Sequence, residues 1–231
     1  MPTPLSEAEI HNFRARLCAE AERQFLRNGV EAVSMRSLAK ALGCSATTPY
    51  TYFKNKGEIV AMVRASILNR LCDKLERTEC EDARLWSQAH MKTCVDFAFE
   101  EPESYRLIFD TYQSDEDEHP EMRRANARTL LVNYKYVEKL IEQGYLEGDA
   151  QELGYMFFAE LHGLIVLRMS GRPRTTREEF DQKCRNYFSW ITRGVRPARV
   201  SSAASTPSLK VPSVNSVPTQ TAAKRRLAKA G

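Results

Sequence analysis

The chain has 231 residues, 42% of them apolar and 28% charged, with a net charge of +4. That is enough for one large helical domain or two small ones, yet no apolar run reaches the about 18 consecutive positions that a membrane helix requires. The opening MPTPLSEAEIHNF lacks the basic-then-apolar order of a secretory signal, so a cytoplasmic protein without a membrane partner is expected.

Helical periodicity runs along the chain and two-residue alternation does not, which predicts an all-α fold. The first helix opens on the capping box Ser6-x-x-Glu9, places Ile10, Phe13, Leu17, Ala21 and Phe25 on one face, and stops near Asn28-Gly29. Ser34 caps a short second helix bearing Leu38, Ala39 and Leu42, which Gly43 ends by supplying a positive φ. A third short helix is expected around Ser45 to Phe53. Asn55-x-x-Glu58 reads as another capping box, opening a helix with Ile59, Val63, Ile67, Leu71 and Leu75 in steps of four that is long enough to connect one domain to the next. Further helices are expected at about 84–100, 103–113, 120–144, 149–169 and 175–194, the last two made a hairpin by Gly171-Arg172-Pro173. After Arg199 the text turns rich in Ser, Thr and Pro and closes on KRRLAKAG; nothing there can bury a core, and the segment is expected to be disordered.

Six cysteines (Cys18, Cys44, Cys72, Cys80, Cys94, Cys184) and four histidines (His11, His90, His119, His162) form no CxxC pair and no metal-ligand spacing. No metal, disulfide framework or cofactor is expected, and the thiols are expected to pack as small apolar groups. Charge is unevenly spread. From Ala32 to Lys56 there are four bases (Arg36, Lys40, Lys54, Lys56) and no acid, whereas Asp96 to Glu121 holds ten acids against Arg106 alone. The segment from Ser201 carries Lys210, Lys224, Arg225, Arg226 and Lys229 without an acid, a charge of +5 that leaves −1 for the rest. The first and last of these stretches can face phosphate; the middle one repels it. Its run Asp115 to Glu118 reads as a solvated loop.

The segment SMRSLAKALGCSATTPYTYFKNK holds the informative spacing. Ala39 lets two helices cross closely, and Gly43 permits the sharp turn that sets a second helix at the angle a major groove accepts. Together with Cys44, Ser45, Tyr50, Tyr52, Phe53 and Lys56, and with Phe25-x-x-x-Gly29 upstream, the pattern resembles the DNA-binding signature of the tetracycline-repressor family over roughly Phe13 to Val63. The resemblance implies a helix-turn-helix whose recognition helix follows the glycine. By position Ser45, Ala46, Thr47 and Thr48 then face base edges, Tyr50, Tyr52 and Lys56 grip phosphates, and Ser34 with Arg36 stands at a helix end near the backbone. Short hydroxyl side chains and helix N-termini suit those tasks. Phe53 reads as a core aromatic. Two residues depart from the pattern. Cys44 replaces a valine with a thiol of similar packing. Pro49 replaces a leucine, so either the first turn tolerates it or the helix starts later, with Thr48 as cap and Pro49 as first residue.

Farther on, Phe97-x-x-Glu100-Glu101-Pro102-Glu103 with Tyr105 to Phe109, and later Glu160-Leu161-His162-Gly163-Leu164, resembles a subtype of the family named for a Trp-His-Gly signature, with Leu161 at the Trp position. The resemblance implies a helical ligand-binding and dimerisation domain whose last two helices pair with their copies. The helix around 153–169 is apolar nearly all round from Leu161 onward, so it should be covered on several sides. Phe97, Tyr105, Phe109, Tyr134, Phe157 and Leu161 supply apolar surface for an effector pocket, although they equally suit a plain core. His162 beside Gly163 fits a ligand contact, a pH-sensitive interface group, or a satisfied core histidine at a close helix crossing, the last favoured.

The expected organisation is a DNA-binding domain at 1–55, a helical domain at 56–197 with 56–78 as connector, and a basic tail at 198–231. The expected function is a transcription regulator, a ligand-responsive repressor acting as a homodimer on double-stranded DNA with an inverted-repeat operator. The competing reading is a helical ligand-binding or interaction module without specific DNA binding. No phosphate-cradling glycine loop, nucleophile elbow or metal triad stands in the text, so no catalytic residue and no enzyme is expected.

Overall fold

The structure, a computed structural model, describes residues 6–109, 119–172 and 174–194, with side chains described as far as Ser189. Among them are α1 (Glu7–Asn28), α2 (Met35–Ala41), α3 (Thr48–Tyr52), α4 (Lys56–Glu76), α5 (Ala83–Glu100), α6 (Pro102–Phe109), α7 (Pro120–Glu142), α8 (Ala150–Met169) and α9 (Arg177–Gly194), and no strand. The expected all-α fold is what is found. The run Asp115 to Glu118, Pro173 and the tail lie outside the described residues.

Helix ends follow their local chemistry. The Ser6 box is reciprocal: the Ser6 hydroxyl accepts from Glu9 N–H at 3.3 Å while the Glu9 carboxylate accepts from Ser6 N–H at 2.8 Å. Asp82 and Asp149 cap α5 and α8, each carboxylate accepting two backbone N–H groups at 2.9 Å. The Asn55 box departs from expectation. Asn55 does accept from Glu58 N–H, but the Glu58 carboxylate reaches Lys54 N–H and is held by Arg14.

One core runs from α1 through α4 into the later helices. Leu17, Ala21 and Phe25 of α1 meet Leu38 and Phe53, and the α4 stripe Ile59, Val63, Ile67, Leu71 and Leu75 continues it to Phe97, Met122 and Ile165. Each fully buried Leu or Ile in it stabilises by about 1.5–3 kcal/mol. Ile10, expected on that face, is 37% exposed, and Phe13 is half-buried, because the first turns of α1 extend past their neighbours. A smaller cluster, Trp86, Tyr136, Val137, Leu140, Leu146, Leu153 and Phe157, ties α5, α7 and α8 at the other end.

Helix α4 packs most extensively on α7. There Arg128 spans the groove to Asp73 at 2.6 Å and Glu76 at 2.7 Å, and donates to Asn69. The close α7–α8 crossing is at Gly154, where a Cβ would stand 2.6 Å from the Tyr134 ring. It is not at Gly163, whose Cβ position has nothing within 4 Å. The expectation of six buried thiols is also corrected: Cys72 and Cys184 are buried, Cys18, Cys44 and Cys94 are half-buried, and Cys80 is exposed in the α4–α5 turn.

Candidate functional site

The turn between α2 and α3 is set by backbone geometry. Gly43 has φ 67°, Cys44 N–H reaches back to Ala39 O at 3.0 Å and Gly43 N–H to Lys40 O at 3.2 Å, the paired closure that satisfies the last carbonyls of α2. Helix α3 begins later than Ser45 but one residue before the later start expected: Ser45, Ala46 and Thr47 form a turn closed by Thr48 N–H to Ser45 O, Thr47 stands at the cap, Thr48 is the first helical residue and Pro49 the second. Pro49 is buried in the first turn, where a missing N–H leaves no hydrogen bond unmade.

This geometry sorts the nine residues implicated by resemblance. Ser45, Ala46, Thr47 and Tyr50 are exposed, Tyr50 by 58%, and Thr48 is half-buried. The Ser45 hydroxyl bonds those of Thr47 at 2.9 Å and Thr48 at 2.8 Å. Ser34 and Arg36 are exposed at the start of α2, where the Ser34 hydroxyl accepts from Ser37 N–H. Arg36, Lys40 and Lys54 have no ion-pair partner among the described residues. Tyr52 and Lys56 are more committed. The Tyr52 ring stacks on Phe13 with centroids 4.2 Å apart, and Lys56 Nζ donates to Val30 O at 3.1 Å with Glu31 at 3.9 Å, pinning α4 to the α1–α2 loop.

Arg14 was not singled out by the sequence. Its guanidinium donates to the Tyr52 carbonyl and to Glu58, and lies 4.2 Å over the Phe53 ring, locking the end of α3 between α1 and α4. No local spacing announces it, since its partners are at least 38 positions away.

The later helices hold a second candidate site. A cavity with about 480 Å³ of empty space, part of it open to solvent, lies between α5, α7, α8 and α9. Phe157 and Leu161 line it as expected; Phe97, Tyr105, Phe109, Tyr134 and His162 do not. Phe97 is core, and Tyr134 fills the Gly154 crossing. The Tyr105 hydroxyl meets His162 Nδ1 at 2.8 Å, and the Tyr105, Phe109, Phe158 and His162 rings cluster, with Phe158 shared with the cavity wall.

Among the cavity's polar residues, His90, Asn133 and Glu160 escaped the sequence reading. His90 is 3% exposed and packs on the Tyr136 ring at 4.4 Å; burial depresses its pKa to about 4, so it is neutral. Its position was legible, since Ala83, Trp86, Ser87 and His90 share one helical face, all buried. Burial likewise raises the pKa of Glu160 and pushes the Cys94 and Cys184 thiols up to about 12 and about 11, leaving them unreactive. From His90 a hydrogen-bond line leads to the connector: Nε2 to Asn133 Oδ1 at 3.1 Å, Asn133 Nδ2 to Thr129 O at 2.8 Å, and Thr129 Oγ1 to Cys72 Sγ of α4 at 3.4 Å.

Residues 17–63 match a family model described as bacterial regulatory proteins, tetR family, and residues 87–190 match one described as a tetracyclin repressor-like C-terminal domain. Among solved structures, a protein of unknown function from Rhodococcus sp. RHA1 superposes with TM-score 0.69 at 22% identity, covering 85% of this chain and all of its own. A bacterial regulatory protein in the tetR family from Rhodococcus RHA1 gives TM-score 0.58 at 16% identity, with 84% of this chain and 100% of that one covered. A protein from Saccharomonospora viridis, described as a transcriptional regulator and solved in complex with choline, gives 0.63 at 19% identity over 78% of this chain and 96% of that one. No curated protein matches the chain. At these identities the superpositions speak for the fold, and the two family models for membership.

Proposed function

The chain belongs to the tetracycline-repressor family and is a DNA-binding transcription regulator, and from that premise we propose that it is a ligand-responsive repressor acting as a homodimer on an inverted-repeat operator. The observation that carries the DNA-reading part is the exposed turn Ser45-Ala46-Thr47 with Tyr50, flanked by the unpaired cations Arg36, Lys40 and Lys54. Hydroxyls at a helix start reach base edges while free cations neutralise phosphates. The DNA-reading unit is placed at 1–55, the effector and dimerisation unit at 56–197 with α4 as connector, and the basic tail from 198 adds affinity for any sequence.

Dimerisation is supported by α8. Its second half, apolar nearly all round, is packed on one side against the core through Ile165, Leu161 and Leu164, while Tyr155, Met156 and Leu167 along the helix are each more than half exposed among the described residues. A second copy laid along α8 and α9 removes that surface from water and sets two reading turns against successive major-groove faces, with half-sites about one helical turn or a modest multiple apart. The effector site is the cavity between α5 and α9, and an effector acts only through different affinities for the DNA-bound and released arrangements.

Light scattering on the full chain and band shifts with DNA upstream of its own gene test this reading. A dimer at micromolar concentration that retards this DNA ahead of random DNA is expected. A stable monomer refutes the dimer, and equal affinity for both DNAs favours an interaction module without specific DNA binding.

A further inference from the structure

Two groups of the cavity's polar wall are acceptors without a partner among the described residues. Asn133 Nδ2 donates to the Thr129 carbonyl, which turns Oδ1, an acceptor only, toward His90. His90 Nε2 must therefore carry the ring's proton, and the neutral ring presents a bare lone pair at Nδ1. That atom is buried and has no hydrogen-bond partner. Glu160, half-buried in the same wall, meets no cation and no donor among the described residues: only burial acts on its carboxyl, and it has no ion pair. The Ser87 hydroxyl beside them is spent on the Arg84 carbonyl. The remaining wall is mostly apolar, Phe157, Phe158, Leu161 and Leu164 among it, with the rings of Tyr136 and Tyr187 and the thiols of Cys94 and Cys184.

We infer that this cavity takes a protonated organic amine: an apolar body against the aromatic and leucine walls, a positive charge balanced by Glu160, and a hydrogen bond from the ligand to His90 Nδ1. An anionic effector would face a carboxylate and a lone pair, and a neutral apolar one would leave both without a partner, each at the cost of burying an unsatisfied group. An ammonium ion answers both, and the rings of Tyr136, Phe157 and Phe158 add attraction for a cation. A quaternary ammonium satisfies Glu160 but has no N–H for His90, so the site prefers primary and secondary amines.

The inference rests on reading this cavity as the effector site, and its test separates the two. Calorimetric titration of the full-length dimer with 2-phenylethylammonium, 2-phenylethanol, 3-phenylpropionate and phenyltrimethylammonium compares one body with four polar ends. The primary amine is expected to bind at least about tenfold more tightly than the alcohol, the acid not at all, and Glu160→Gln to erase about tenfold of the amine's affinity, the scale of one charged hydrogen bond. His90→Phe, which keeps the ring volume, is expected to weaken the primary amine and leave the quaternary one unchanged. Equal binding of alcohol or acid, no heat with the amine at millimolar concentration, or unaltered amine affinity in Glu160→Gln overturns the inference. Glu160→Gln that loosens the dimer without touching amine affinity overturns it too, by assigning the carboxylate to the subunit interface. Operator affinity measured alongside tests the other reading: amine binding without a change in it upholds the site and refutes its role as effector site.

Discussion

Around the α2–α3 turn the polar groups stand outside the core and look at solvent: Ser45 and Thr47 are exposed, and the apolar residues beneath them, Leu38 and Phe53, are fully enclosed. Between α5 and α9 the arrangement is inverted, with His90 and Asn133 inside, surrounded by rings. A surface that reads a large, hydrated partner needs no unmet polar group in its interior, because the partner arrives with its own. A cavity for a small ligand has to keep groups unmatched until the ligand comes, and so holds part of the protein's stability in reserve.

The largest effect tests whether the two regions share one core. Leu38→Ala removes a side chain with no exposure and is expected to cost about 2–5 kcal/mol, seen as a shift of the whole urea transition, because the α1–α2 core continues along α4. Two separate transitions would show that the core divides at α4.

Next comes a difference in pH response. His90, neutral and depressed to about 4 from an ordinary 6.5, leaves the unfolded chain binding a proton that the folded one refuses. The contribution of His90 to stability is therefore expected to be lost as pH drops from about 6.5 to about 4, by on the order of 3 kcal/mol, while carboxylates held low by their partners, such as Glu76 beside Arg128, add their own loss at more acid pH. Melting curves of the parent and of His90→Phe check this: the slope is shallower in the variant, and an unchanged slope places the titrating group elsewhere.

The smallest effects sharpen the division of labour within the reading turn. Thr47→Ala is expected to change preference at one base pair by about 1–3 kcal/mol per half-site. Lys56→Ala weakens binding on every sequence, lowers the salt slope by about 1, and also loosens the loop through the lost bond to Val30 O. Affinities for operator and random DNA at several salt concentrations distinguish them. Equal loss on both DNAs for Thr47→Ala moves base reading toward Tyr50.

The same contrast explains what the amino-acid text reveals. Helix starts at Ser6, Ser34 and Asn55, the turn at Gly43 and the α4 stripe depend on residues within a few positions of one another, and they read correctly. The start of α3 stayed open because a proline suits any position of a first turn; Pro49 falls at the second position, with Thr47 and not Thr48 as the cap, and its ring is buried. The cavity was read only in part. Its wall joins residues 87–94, 133–136, 157–164 and 184–188, and no local pattern says that Phe157 will face His90's helix while Tyr134 turns to Gly154. Aromatic residues announce apolar surface wherever they stand; which of them border a void is a property of four helices at once.

The Ser45, Thr47 and Thr48 hydroxyls are each other's partners, with Ser45 at the hub. A hydroxyl rotor serves equally as donor or acceptor, and turning one proton obliges its neighbours to turn theirs. The trio thus has no fixed polarity: Ser45 can accept from both threonines or donate to either one, and the sense of each bond changes by rotation of a hydroxyl, without moving a backbone atom. On the proposed DNA-reading role, such a trio can meet either a donor or an acceptor at the bases it faces, and a degenerate operator consensus at those positions is the expected output.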